Sequence, residues 1–207
     1  FTVGSLAQLN TSSENYVAWQ WLGANGTSTN DVGTLTSTVS VAGADHFSIV
    51  SYTGSGANTT VGHGLGAAPE MMICRELPGG DDWNVYHADA ASSPGGGSLR
   101  LDSTVAFVAD ATLYNSTVPS STVISLGTSA ETNQSSTAMI AYCFRSVAGV
   151  CKVGGYTGNG AADGPFIFTG FKPKYIIWKN ADVARDWGII DTATQTYNPG
   201  TLSTVLF

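Results

Sequence analysis

Charge is what this chain has least of. Asp, Glu, Lys and Arg make up 11% of its 207 residues, where a soluble globular chain carries about 25%, and no lysine precedes Lys152. Solubility therefore rests on Ser, Thr, Asn and Gly, a surface of hydroxyls and amides unlike the charged coat of a cytosolic enzyme. The charge that remains is acidic, a net −7 with pI near 4.6. Such a surface repels phosphate backbones and argues against nucleic acid as a partner. The three cysteines, Cys74, Cys143 and Cys151, show no close pair and no CxxC spacing, which speaks against a disulfide framework or a zinc site. They read instead as buried thiols. No run approaches the ~18 apolar residues that span a bilayer, so membrane insertion is not expected. The N-terminus also lacks a charged region followed by an apolar one.

Catalytic signatures are scarce as well. GxSxG is missing, and His46, His63 and His87 are the only histidines, without a Ser–His–Asp set around them. Asp81, Asp82 and Asp89, or Asp182 and Asp186, lack the dense Asp/Asn alternation of a calcium loop. The expected catalytic and metal sets are both none, with no cofactor. No segment carries a sustained i, i+3, i+4, i+7 apolar pattern, so helix content should be low.

What the chain has in quantity is short runs of Val, Ile, Tyr, Phe, Trp and Thr separated by Gly, Asn, Asp, Pro and Ser, which is strand-and-turn chemistry. Strands are expected at Tyr16–Trp21, Phe47–Tyr52, Met71–Arg75, Trp83–His87, Leu99–Leu101, Val105–Val108, Val123–Leu126 and Met139–Phe144. Their number and spacing predict an all-β fold, an antiparallel β-sandwich.

One stretch occurs twice. FSIVSYTGSG, VGHGLGAAP, MMIC and DDWNVYH from Phe47 are answered by CKVGGYTGNG, IFTGFKP, KYIIWK and RDWGIID from Cys151. Tyr52 and Tyr156, Gly56 and Gly160, Pro69 and Pro173, and Trp83 and Trp187 all stand 104 residues apart (156 − 52). Drift does not place tyrosine, proline and tryptophan at one offset, so the unit is read as duplicated. A second echo pairs Gly4 with Gly127, Ala7 with Ala130, Asn10 with Asn133 and Ala18 with Ala141, an offset of 123 (127 − 4). The first echo marks unit beginnings and the second marks unit ends. The chain is accordingly divided into 1–21, the closing strand of a preceding unit; 22–46, linker or hairpin; 47–144, a complete β-sandwich unit; and 145–207, the beginning of a second, incomplete unit. On this reading the N-terminal strand closes either the C-terminal half-unit or that of a neighbouring copy.

Two residues are candidates for ligand binding. Trp83 and Trp187, each preceded by Asp, offer flat faces suited to sugar rings; the alternative is a pair of core tryptophans beside Asp-capped turns.

With these residues in view, YTGNGAADGPFIFTGFKPKYIIWK, the following DW and the closing strands YVAW and MIAYCF resemble a domain recurrent in tail-fibre and related virion proteins of tailed bacteriophages, marine and cyanobacterial ones in particular. In the first copy Arg75 stands where the pattern has its closing lysine, and HGLGAAP replaces TGFKP. The resemblance implies tandem units of a lectin-like jelly-roll sandwich. It implies a non-enzymatic virion component, a tail-fibre or appendage segment supporting host attachment. Its implied partners are copies of itself, other virion proteins and host-surface glycan. The alternatives are a carbohydrate-binding lectin-like module and a capsid decoration or fibre protein that only stabilises the particle.

Overall fold

The computed structural model of the chain describes residues 3–6, 10–14, 18, 20–90, 95–192 and 205–206. Its strands are β1 (Ser28–Asn30), β2 (Ser37–Val41), β3 (Phe47–Thr53), β4 (Thr59–Gly62), β5 (Met71–Glu76), β6 (Asn84–His87), β7 (Gly97–Arg100) and β8 (Val108–Ala109). Helix α1 (Ala111–Tyr114), β9 (Val123–Leu126), α2 (Ala130–Asn133) and β10 (Ala138–Phe144) follow, and then β11 (Tyr175–Trp178), β12 (Trp187–Asp191) and β13 (Val205–Leu206). The all-β expectation holds: neighbouring strands pair antiparallel, and helices α1 and α2 are only four residues long.

Eight strands make one sheet in the order β1-β2-β3-β10-β5-β6-β7-β8, beside a β4–β9 ribbon and a β11-β12-β13 sheet. Residues 22–46 contribute the β1–β2 hairpin, which extends the large sheet through β2 and β3. Strand β4 forms where the sequence suggests only the exit from a glycine turn, because Thr59, Thr60 and Val61 find a partner in β9. Of the expected first strand, Tyr16, Val17 and Trp19 lie outside the described residues; Ala18, Gln20 and Trp21 are described and belong to no strand.

Successive side chains of a strand point to opposite faces, and both faces of the large sheet are covered. On one, Val50, Tyr52, Met72, Cys74, Met139, Ala141 and Cys143 pack against Val61, Ile124 and Leu126 of the ribbon and Leu113 and Tyr114 of α1. On the other, Phe47, Ile49, Ile73 and Phe144 meet Val153 and Cys151, while Val85 and Leu99 meet Ile177 and Trp187. The C-terminal part of the chain thus supplies the cover for the back of the sheet.

The two matched stretches build hairpins in the same register. In β5–β6 the opposed residues are Met71 and His87, Met72 and Tyr86, Ile73 and Val85, and Cys74 and Asn84. In β11–β12 they are Tyr175 and Asp191, Ile176 and Ile190, Ile177 and Ile189, and Trp178 and Gly188. Each second pair is the first moved on by the same offset (175 − 71). Backbone details follow: Ala88 N donates to Glu70 O at 2.8 Å and Thr192 N to Lys174 O at 2.9 Å, and Gly56 and Gly160 share φ of +69°.

The copies differ in what surrounds them. The hydroxyl of Tyr52 donates to Thr132 O of α2 at 2.6 Å, and Asn133 Nδ2 bonds Ala57 O at 2.8 Å and Gly127 O at 2.6 Å. These bonds bind the turn after β3 to α2. Gly54 lies so close that a Cβ there would stand 2.2 Å from Gln134 O. In the second copy Tyr156 is 56% exposed and no atom lies within 4 Å of the Cβ position of Gly158.

Candidate functional site

The β5–β6 turn and the adjoining end of β7 gather the aromatic and charged side chains that the sequence singles out. Arg75, near the end of β5, lays its guanidinium over the Trp83 ring, 4.8 Å from the centroid, a cation–π contact. Its Nη2 also donates to Gly79 O at 2.8 Å, holding the turn closed. Trp83 N donates to Asp102 Oδ1 at 3.2 Å. Asp82 pairs with Arg100 of β7, which also reaches Glu131 of α2 at 3.1 Å. Trp83 is half-buried in this setting, with Asp102 on its backbone N–H and Asp82, paired with Arg100, preceding it in the chain. With Arg75 over one face of the ring, only the other face is left for a sugar to stack on, Asp82 and Asp102 being the acceptors close in the chain or by bonding.

Trp187 sits elsewhere. It opens β12, is 5% exposed, and packs with Val85 and Leu99 on the back of the large sheet. Its Nε1 donates to Arg100 O at 2.7 Å, so the polar end of the indole is satisfied within the protein. The two tryptophans therefore occupy different surroundings and are not brought together: one is half-buried at a turn beneath Arg75, the other is internal. Neighbouring Gly188 has no side chain because the Trp178 ring covers it, 2.1 Å from where a Cβ would stand.

Lys179, the counterpart of Arg75, covers no aromatic ring among the described residues. Its Nζ donates to Thr104 O at 3.0 Å and Arg185 O at 2.6 Å, fastening the β11–β12 turn to the segment after β7. Desolvation there lowers its pKa, opposed by Asp186.

The histidines are dispersed. His63 is fully buried; its Nε2 lies 3.2 Å from Ser120 O and its Nδ1 accepts from Leu65 N at 3.2 Å. Burial lowers its pKa, partly offset by the Ser120 carbonyl. His87 Nδ1 accepts from Asp89 N at 3.1 Å. Among the described residues no hydrogen bond joins a histidine to a serine, threonine or cysteine side chain, and no three His, Cys, Asp or Glu converge for a metal ion. No helix among them is long and apolar enough to cross a membrane. The Cys74 thiol, internal to the core, is pushed up to about 12 by burial, and Cys143 is raised for the same reason, so neither is a ready nucleophile.

An exposed apolar stretch adjoins the second hairpin. Phe166, Ile167 and Phe168 are 91%, 48% and 75% exposed. Neither this surface nor the part played by Asp102 is visible in the sequence reading. The signal for the first was there: in the first copy the same offset lands on Gly62 and His63, which are buried, Gly62 pairing with β9, and on Gly64, which is exposed but small.

The profile of a family described as a domain of unknown function (DUF7483) matches residues 1–206. The chain belongs to that family. The match takes in both hairpins, the large sheet and the Trp83 turn alike. No curated protein and no solved structure matches the chain.

Proposed function

We propose that this DUF7483 chain is a non-enzymatic structural module of a tailed-bacteriophage virion, a segment of a tail fibre or appendage that supports attachment to the host surface. The observation that carries the reading is the reuse of one hairpin in one register, first inside the large sheet and again as the cover on its back. A building block reused along a chain is what an elongated virion part requires. The large sheet with its β4–β9 cover is a lopsided jelly-roll sandwich on this reading, and the units are tandem copies. The charge-poor, lysine-poor surface suits work outside cells, and the exposed Phe166–Phe168 stretch is the kind of surface that other copies or other virion proteins cover. A capsid decoration or fibre protein that only stabilises the particle has the same features and differs in its position.

The deciding experiment is cryo-EM of particles carrying this chain, together with binding of the purified chain to host cells. Density in a fibre or appendage and saturable cell binding are expected. Density confined to the capsid shell selects the decoration reading, and a chain missing from purified particles overturns both.

A second reading, a carbohydrate-binding module, is favoured by the half-buried Trp83 near Asp82 and Asp102. Glycan binding that shifts tryptophan fluorescence and is lost in Trp83→Ala supports it; binding that survives this substitution removes Trp83 from consideration.

A further inference from the structure

The second hairpin has an outer edge, and the chain carries a segment that matches it. Thr192 N donates to Lys174 O at 2.9 Å, so 174 and 192 form a hydrogen-bonded pair, and by alternation so do 176 with 190 and 178 with 188. The N–H and C=O of Ile177 therefore point away from β12, to a side where no strand lies among the described residues. In the first copy the corresponding edge of β5 is occupied by β10, with Phe144 opposite Met71, Cys143 opposite Met72 and Ala141 opposite Cys74.

The two sequence offsets now make a geometric statement. Moving β10 back by 123 gives the stretch ending at Trp21 (144 − 123), and moving β5 on by 104 gives β11 (175 − 71). Trp21 should then stand by Tyr175, with its ring on the face turned to the large sheet, and Gln20 should face outward. The Trp21 ring lies edge-on to Tyr175 with centroids 5.7 Å apart, and also edge-on to Phe144 at 6.3 Å. Gln20 is exposed and Ile176 is 43% exposed, in keeping with the outer face, while Trp21 is 49% exposed, so the register rests on the ring contacts and not on burial. Neither offset was taken from these ring contacts, so the agreement is independent.

We propose that the stretch ending at Trp21 adds to the outer edge of β11 as an antiparallel strand of the same chain, with Trp21 opposite Tyr175, Gln20 opposite Ile176 and Ala18 opposite Trp178. It takes the place at β11 that β10 takes at β5, and supplies partners for the outward N–H and C=O of Ile177. The inference uses the duplication and the ring contacts, and it is independent of any role on a particle.

The register selects the test. Leu77 N donates to Ala138 O at 2.9 Å, which makes Cys143 and Met72 a non-hydrogen-bonded pair, the type with the closest side chains. Their counterparts are Gln20 and Ile176. In the full chain carrying Cys151→Ser, the pair Gln20→Cys and Ile176→Cys is expected to form an intrachain disulfide on mild oxidation, read by mass spectrometry. The pair Gln20→Cys and Ile190→Cys, one strand further and about 10 Å away, is expected to stay reduced. No intrachain link in the first pair, equal linking in both, or links only between chains would overturn the proposal. In the unsubstituted protein the Ile177 amide is expected to exchange at least about 100-fold more slowly than an unstructured amide; exchange at the unstructured rate sinks the idea without any variant.

Discussion

Two tyrosines in one core separate a strong hydrogen bond from a weak one. Tyr52 and Tyr114 are both buried, but Tyr52 donates to Thr132 O whereas the hydroxyl of Tyr114 meets no well-formed acceptor and has only the Cys74 thiol beside it. Tyr52→Phe is expected to lower stability by about 1 kcal/mol, and Tyr114→Phe to leave it unchanged or raise it slightly; paired urea titrations compare them directly. His63 gives the pH response. Burial holds it neutral more strongly than the unfolded chain does, so as pH falls the unfolded chain takes up the proton first. Its contribution is complete above the ordinary histidine value of about 6.5 and is lost as pH falls through the lower folded value. His87 is pushed in the same direction. Stability should therefore decline below about pH 6.5, and His63→Gln should flatten that decline without abolishing it, as seen in denaturation midpoints across the pH range.

At the level of the element, the same motif is rigid in one copy and open in the other. Gly54→Ala places a Cβ 2.2 Å from Gln134 O, while Gly158→Ala meets nothing within 4 Å. The first is expected to destabilise by about 2 kcal/mol or more, as overpacking against backbone does, and the second to change stability by less than about 0.5 kcal/mol; thermal unfolding of the two variants tests the contrast. This contrast also explains what the sequence makes legible. Strand runs such as Phe47–Thr53 and Ala138–Phe144 declare themselves through alternating apolar residues, because each side chain must choose a face. The identical register of the two hairpins follows from Pro69 and Trp83 having counterparts at one offset. Long-range pairing leaves no such trace: nothing in Thr59–Gly62 points to β9, and nothing in Ser37–Val41 tells a linker hairpin from part of the large sheet. The candidate site was half legible for the same reason. Trp83 and Trp187 are matched in sequence, but only the fold places one beneath Arg75 and the other against Val85 and Leu99.

For the molecule as a whole, the back of the large sheet is where its parts meet. Trp187 joins them by packing and by its bond to Arg100 O. Trp187→Ala is expected to cost about 3–5 kcal/mol of the stability of that contact, while Trp187→Phe, which mainly leaves Arg100 O unpaired, should cost about 1–3 kcal/mol. Amide exchange at Val85 and Leu99 distinguishes loosening of the cover from global unfolding. Trp21 touches Tyr175 of β11 and Phe144 of β10 together, so the leading stretch and the trailing hairpin are gripped at one corner. That corner has a mechanical meaning. Tension drawn along the polypeptide from both sides is expected to part Trp21 from Tyr175 and Phe144 before the eight-stranded ladder gives way, which single-molecule pulling would register as an early, small step.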